Sequence, residues 1–121
     1  MKKYYLTIDL GASNGRGIVF EYDGEKILPV YVSRFKNGIE TRGSTDYWDF
    51  AYLLQNVKNV LKETAEKYPL QSFAIDSWGL DFGLLDDNCN LLDDPVSYRD
   101  GRTIGVPEKL FKKYLSASYM N

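Results

Sequence analysis

The apolar positions change period along the chain, from alternation to a helical repeat and back. Three extended runs come first: Tyr4–Leu10, Gly17–Tyr22 and Ile27–Phe35. All three are rich in the Tyr, Val, Ile, Thr and Phe that suit a pleated surface. The small residues between the first two runs predict a tight hairpin, in which Gly11 and Gly15 are free to take positive φ and Asn14 tolerates it. Asp23-Gly24 predicts a second hairpin. Lys36 to Ser44 is polar and glycine-punctuated, hence a loop. From Trp48 to Tyr68, apolar residues at Phe50, Leu53, Leu54, Val57, Val60, Leu61, Ala65 and Tyr68 predict a helix with one buried face. Asp46 and Asp49 suit its start, and Pro69 closes it. Ser72–Asp76 predicts a buried strand. Leu80–Leu85 and Leu91-Leu92 flank the polar turn Asp86–Asn90 as a further hairpin. Pro95 to Thr103 is loop-like. A last helix is expected from near Pro107, with Leu110, Phe111, Tyr114 and Leu115 on its apolar side. Ser116 to Asn121 carries no stop signal and reads as a cut.

Three antiparallel strands, a crossover helix and a further strand predict an α/β layer with a mixed sheet. A right-handed crossover places the fourth strand parallel beside the first. Asp9 and Asp76 then end neighbouring strands at one rim, where ligands of α/β sheets collect.

Composition restricts the chemistry more than the fold. The chain has 121 residues, 44% hydrophobic and 26% charged, the make-up of one ordinary globular domain. A net charge of −2 gives no electrostatic case for nucleic acid or an anionic membrane. No apolar run approaches a membrane span. Cys89 is the only cysteine, so a disulfide framework and a zinc cluster are excluded, and a cytoplasmic setting is expected. The absence of histidine removes every mechanism that needs an imidazole.

Within those limits the segment Asp9-Leu10-Gly11-Ala12-Ser13-Asn14-Gly15-Arg16 carries the sharpest signal. Small residues let backbone N–H groups converge on an anion. A carboxylate beside an anion is repulsive unless a cation intervenes, which suggests phosphate with Mg²⁺. The Walker pattern is absent. An ordinary hairpin turn remains the alternative.

Five segments in order, IDLGASNGR, VSRFKNG, YWDF, AIDSWGLDFGLLD and PVSYRDGRTIG, resemble the amino-terminal portion of the FGGY carbohydrate kinases, from about Tyr5 to Gly105. These kinases fall within the actin, hexokinase and heat-shock chaperone ATPase superfamily. The resemblance implies that residues 1–121 form an incomplete actin/hexokinase-like (ribonuclease H-like) domain. It implies ATP and Mg²⁺ as cofactors, with Asp9 holding the metal and Ala12, Ser13, Asn14, Gly15 and Arg16 cradling the phosphates. Gly79 matches a ketose-contacting position, with Trp78 and Asp81 beside it; a core role for Trp78 stays open. The implied reaction is phosphoryl transfer from ATP to a ketose, L-rhamnulose first, with L-fuculose or xylulose as alternatives. The general base is expected downstream, so the chain alone is expected to be inactive and to self-associate through exposed strand edges. A non-catalytic half-domain acting in interactions is the reading of a different class. Tyr98-Arg99-Asp100-Gly101-Arg102 fits the family pattern as either a substrate-orienting or a loop-bracing stretch. Departures are Ser33 where the family has a histidine, Asn14 and Gly101 where serine is usual, and Asn88 as the expected special-φ residue where a glycine is usual.

Overall fold

The computed structural model describes residues 1–114. The expected Leu115 of the last helix and the tail after it lie outside them. Strands β1 (Lys3–Leu10), β2 (Asn14–Tyr22), β3 (Ile27–Lys36) and β6 (Leu70–Asp76) form one sheet in the order β3-β2-β1-β6. β1 and β2 are antiparallel, as are β2 and β3, while β6 runs parallel to β1. The mixed sheet is therefore as expected, and the register sets Asp9 beside Asp76.

Helix α1 (Phe50–Lys67) covers one face of this sheet. Its start is fixed by Asp49, whose side chain accepts from the Tyr52 N–H at 2.9 Å. Asp46, expected in the same role, instead accepts from the Thr41 hydroxyl at 2.6 Å. Leu6, Ile8, Val19 and Val60 form the centre of the core, with Val57, Leu61, Tyr31 and Phe35 packed around them. The buried stripe of α1 is narrower than its apolar pattern: Leu53, Val60 and Thr64 are buried, whereas Phe50 and Leu54 stay exposed. The helix reaches β1 and β2 but leaves β6 open.

That explains one correction. β6 is an edge strand, and Phe73 and Ile75 are about half exposed instead of buried. A second correction concerns Lys36 to Ser44, which contains β4 (Ile39–Arg42). It pairs with β5 (Thr45–Trp48) across a turn at Gly43, whose φ of 65° suits glycine. A third concerns the polar turn, where Cys89 and not Asn88 takes the left-handed conformation, at φ 64°. The Leu85–Leu91 pairing of that hairpin is present. The last helix, α2 (Val106–Tyr114), begins within a residue of the expected Pro107 but buries none of its side chains. Among the described residues no helix is long and apolar enough to cross a membrane.

Candidate functional site

β1 and β2 are joined by three residues, Gly11, Ala12 and Ser13. The expected phosphate segment is thus split, because Asn14, Gly15 and Arg16 already belong to β2. The expected positive φ at Gly11, Asn14 and Gly15 does not occur. Gly15 is required for another reason: a Cβ there would meet the Phe35 ring at 2.1 Å. Ala12, Ser13, Asn14 and Arg16 are exposed, and Gly15 lies buried under that ring. The Gly11 N–H closes the turn on the Asn14 carbonyl at 3.0 Å. Among the described residues the Ala12 and Ser13 N–H groups have no internal acceptor, so both remain available to an anion.

Asp9 ends β1 at the same rim. Its Oδ2 accepts from Arg16 Nη2 at 2.7 Å across the β1–β2 ladder, and both side chains are more than two-fifths exposed. An exposed pair of this kind is weak and exchangeable. Asp9 Oδ1 has no partner among the described residues. A Mg²⁺ ion keeps most of its waters and takes one or two carboxylates plus phosphate oxygens. One accessible carboxylate at this rim, with Asp76 alongside, fits that demand. No cluster of three acidic, cysteine or histidine ligands occurs among the described residues, which argues against an all-protein metal cage.

Beyond the end of β6 the chain builds a second feature. Trp48 and Trp78 stack face to face, their ring centroids 3.9 Å apart with planes 10° from parallel. Trp48 Nε1 donates to Asp81 Oδ2 at 2.7 Å, while Trp78 Nε1 is buried without a partner among the described residues. These three residues, with Leu10, Leu53, Ile75 and others, line a cavity of about 330 Å³. That volume lies at the lower end of small-molecule sites. Asp81 thus orients an indole as well as facing the cavity. Gly79 has open space where a Cβ would be, so nothing in its own chain demands glycine there. Ser33 sits in mid-β3 opposite Gly17, under α1, and does not line the cavity.

The segment after the cavity is a brace. Asp100 is buried and accepts from the N–H groups of Asp46 and Arg102, which hold its carboxyl below the usual range. Arg42 pairs with Asp93 and Asp94 and lies over the Tyr47 ring. Among the described residues Arg99 makes no carboxylate pair; it reaches the β1–β2 loop at the Ala12 carbonyl. Two contributors carry little signal in the sequence. Trp48 stands there only as the first residue of the helical pattern. Asn37, which bonds to the β1–β2 loop, carried no local signal beyond preceding a glycine.

Residues 4–120 match the family model "FGGY family of carbohydrate kinases, N-terminal domain". The chain belongs to the FGGY family. It is 36% identical over 114 residues to a rhamnulokinase of Bacteroides thetaiotaomicron and 40% identical over 114 residues to one of Halalkalibacterium halodurans. Each match takes in 93% of this chain but 24% of the relative, so the FGGY chain spans about a quarter of their length. Among solved structures, the gluconate kinase of Lactobacillus acidophilus superposes with a TM-score of 0.77 at 14% identity, over 93% of this chain and 23% of that one. At that identity the likeness shows the fold alone, which is the expected actin/hexokinase-like one.

Proposed function

We propose that this FGGY chain supplies the phosphate-facing wall of an ATP-dependent ketose kinase, and that its acceptor is L-rhamnulose. The observation that carries the reading is one rim with two complementary features: free amides and a carboxylate at the β1–β2 loop, and an indole-lined cavity beside it. Leu10 lines that cavity and directly precedes the loop, so a sugar hydroxyl there would stand close to a bound phosphate. In-line phosphoryl transfer depends on such positioning and on charge neutralisation.

In this reading the amides of Ala12 and Ser13 hold phosphate oxygens, with Asn14, Gly15 and Arg16 shaping the strand behind them. Asp9 shares its carboxylate between Arg16 and a hydrated Mg²⁺. Trp78, Gly79 and Asp81 receive the sugar: the indole offers a face to C–H groups, and its unpartnered N–H suits a hydroxyl oxygen. The choice of L-rhamnulose is supported by the likeness to two rhamnulokinases at 36% and 40% identity. The chain's short span against them supports residues 1–121 as an incomplete domain, with the general base and adenosine pocket elsewhere in a longer cytoplasmic protein.

The test compares kcat/KM for L-rhamnulose, L-fuculose and xylulose in the whole protein carrying this domain. Preference for L-rhamnulose by an order of magnitude or more is expected, on the scale that hydroxyl recognition provides. Equal turnover of all three, or none with Mg-ATP, would refute the assignment.

A further inference from the structure

Apart from the Gly11 N–H that closes the turn, the β1–β2 loop is held by its carbonyls. The Gly11 carbonyl accepts from Asn37 Nδ2, and the Ser13 carbonyl accepts from the Asn37 backbone N–H at 3.4 Å. Between them, the Ala12 carbonyl accepts from Arg99 Nη1 at 3.3 Å. Every carbonyl oxygen of the connection is therefore engaged by a donor from a distant part of the chain.

The geometry of the peptide unit turns this into a statement about the amides. In a planar trans peptide, the C=O and the following N–H point in opposite directions. The Gly11 carbonyl and the Ala12 N–H belong to one plane, and the Ala12 carbonyl and the Ser13 N–H to the next. A donor on Gly11 O thus sets where the Ala12 N–H points, and a donor on Ala12 O does the same for Ser13. Those are the two N–H groups of this loop that find no acceptor among the described residues.

Both donors stand on fixed ground. Next to Asn37, the Gly38 carbonyl accepts from the N–H of Asp49, the residue that caps α1, at 2.7 Å. Arg99 is flanked by buried Asp100, and its own N–H bonds to Ser97 Oγ at 3.2 Å. The orientation of the Asn37 amide follows from chemistry, because a carbonyl needs the NH₂ end. This leaves Asn37 Oδ1 buried without a partner among the described residues, a cost that loop stability alone explains poorly.

We propose that Asn37 and Arg99 are positioning residues that preset the Ala12 and Ser13 amides for a phosphate oxygen, Asn37 acting on Ala12 and Arg99 on Ser13. The proposal rests on the phosphate reading of the loop. Because Arg99 belongs to the segment that also braces the cavity side, it ties the loop's geometry to that side as well.

The test uses the ¹⁵N-labelled chain with Asn37→Asp, which keeps the shape and removes the donor, and Arg99→Met, which keeps the stem and removes the guanidinium. Arg99→Lys restores a donor. Amide hydrogen exchange at residues 11–14 is measured without ligand, and the amide shifts of Ala12 and Ser13 are followed on adding Mg²⁺ and inorganic tripolyphosphate. Faster exchange in the loop is expected in both variants, with helix signals unchanged. The tripolyphosphate response of Ala12 should fade in Asn37→Asp and that of Ser13 in Arg99→Met, with affinity lower by about tenfold in each, the size of one charge-assisted hydrogen bond. Arg99→Lys should recover part of it. Wild-type exchange and wild-type tripolyphosphate response in both variants would overturn the positioning role. A parent chain whose two amides ignore tripolyphosphate, while the variants still loosen the loop, would overturn the phosphate reading and the proposal with it.

Discussion

Gly17 is where the helix meets the hairpin, and it makes a strict test of how the rim is supported. A Cβ at Gly17 would lie 2.3 Å from Val60 Cγ1, 3.6 Å from Val60 Cβ and 3.7 Å from Leu6 Cδ1. Only the first distance is impossible. Val60 is 4% exposed, and valine on a helix has one strongly preferred rotamer, so the methyl has little room to swing away. Gly17→Ala must therefore push α1 from β2. Overpacking of this kind costs about 1–3 kcal/mol, offset by about 0.5–1 kcal/mol from replacing a strand glycine. Val60→Ala alone removes two buried methyls, about 1.6 kcal/mol of transfer energy at 0.8 per carbon, plus a cavity term. Together the two changes relieve each other. The offending Cγ1 is gone, and the Cβ of residue 60 stands 3.6 Å from the new methyl, an ordinary contact. The double variant should thus be more stable than the sum of the singles by about 1–3 kcal/mol. Urea unfolding followed by circular dichroism and by tryptophan fluorescence supplies the four stabilities, and coincident transitions license the two-state treatment. Additivity within about 0.5 kcal/mol, or a stabilising Gly17→Ala, would refute the reasoning.

Other consequences are equally direct. Trp48→Phe removes the donor to Asp81 while keeping an aromatic ring against Trp78, and should cost about 1–3 kcal/mol in the same urea assay. The Asp100 carboxyl is held below its unfolded value by the Asp46 and Arg102 N–H groups. Its contribution is present above the unfolded carboxyl pKa and is lost as pH falls through the lower folded one. Asp100→Asn should therefore lower stability at neutral pH and flatten the acid limb of a stability-against-pH curve; an unchanged limb would count against it. Half-exposed Phe73 and Ile75 on the open edge of β6 should drive self-association, so light scattering is expected to show a mass that rises with concentration, in contrast to a constant monomer mass. The 121-residue chain by itself should phosphorylate no sugar in a coupled assay, and measurable turnover would contradict the proposed division of the site.

What the sequence made legible was what depends on near neighbours. Alternation in Tyr4–Leu10 and the three-to-four repeat from Leu53 to Val60 are local signals, and both elements are present. Asp9 and Asp76 could be set at one rim because a crossover helix between two strands permits few arrangements. Gly15 and Gly17 show where local reasoning stops. Gly15 reads as a turn glycine and Gly17 as the first residue of a strand, but both are packing glycines whose cause lies in Phe35 and Val60. β4 was hidden because Ile39 is its one apolar residue, so only pairing with β5 reveals it. The polar turn was placed correctly, yet its left-handed residue was missed by one position, because the loop register decides between Asn88 and Cys89. Asn37 and Arg99 had no periodic or compositional signature, since what they do is defined by loop carbonyls far away in sequence.

The most direct test of the central claim titrates the labelled chain with ATP carrying Mn²⁺ in place of Mg²⁺, reading the paramagnetic broadening of each amide signal. Broadening centred on Asp9 and on Ala12 to Arg16, and reduced in Asp9→Asn, is expected if this rim holds a metal-bound triphosphate. Broadening centred on the acidic stretch from Asp86 to Asp94, or the same pattern in Asp9→Asn, would contradict it.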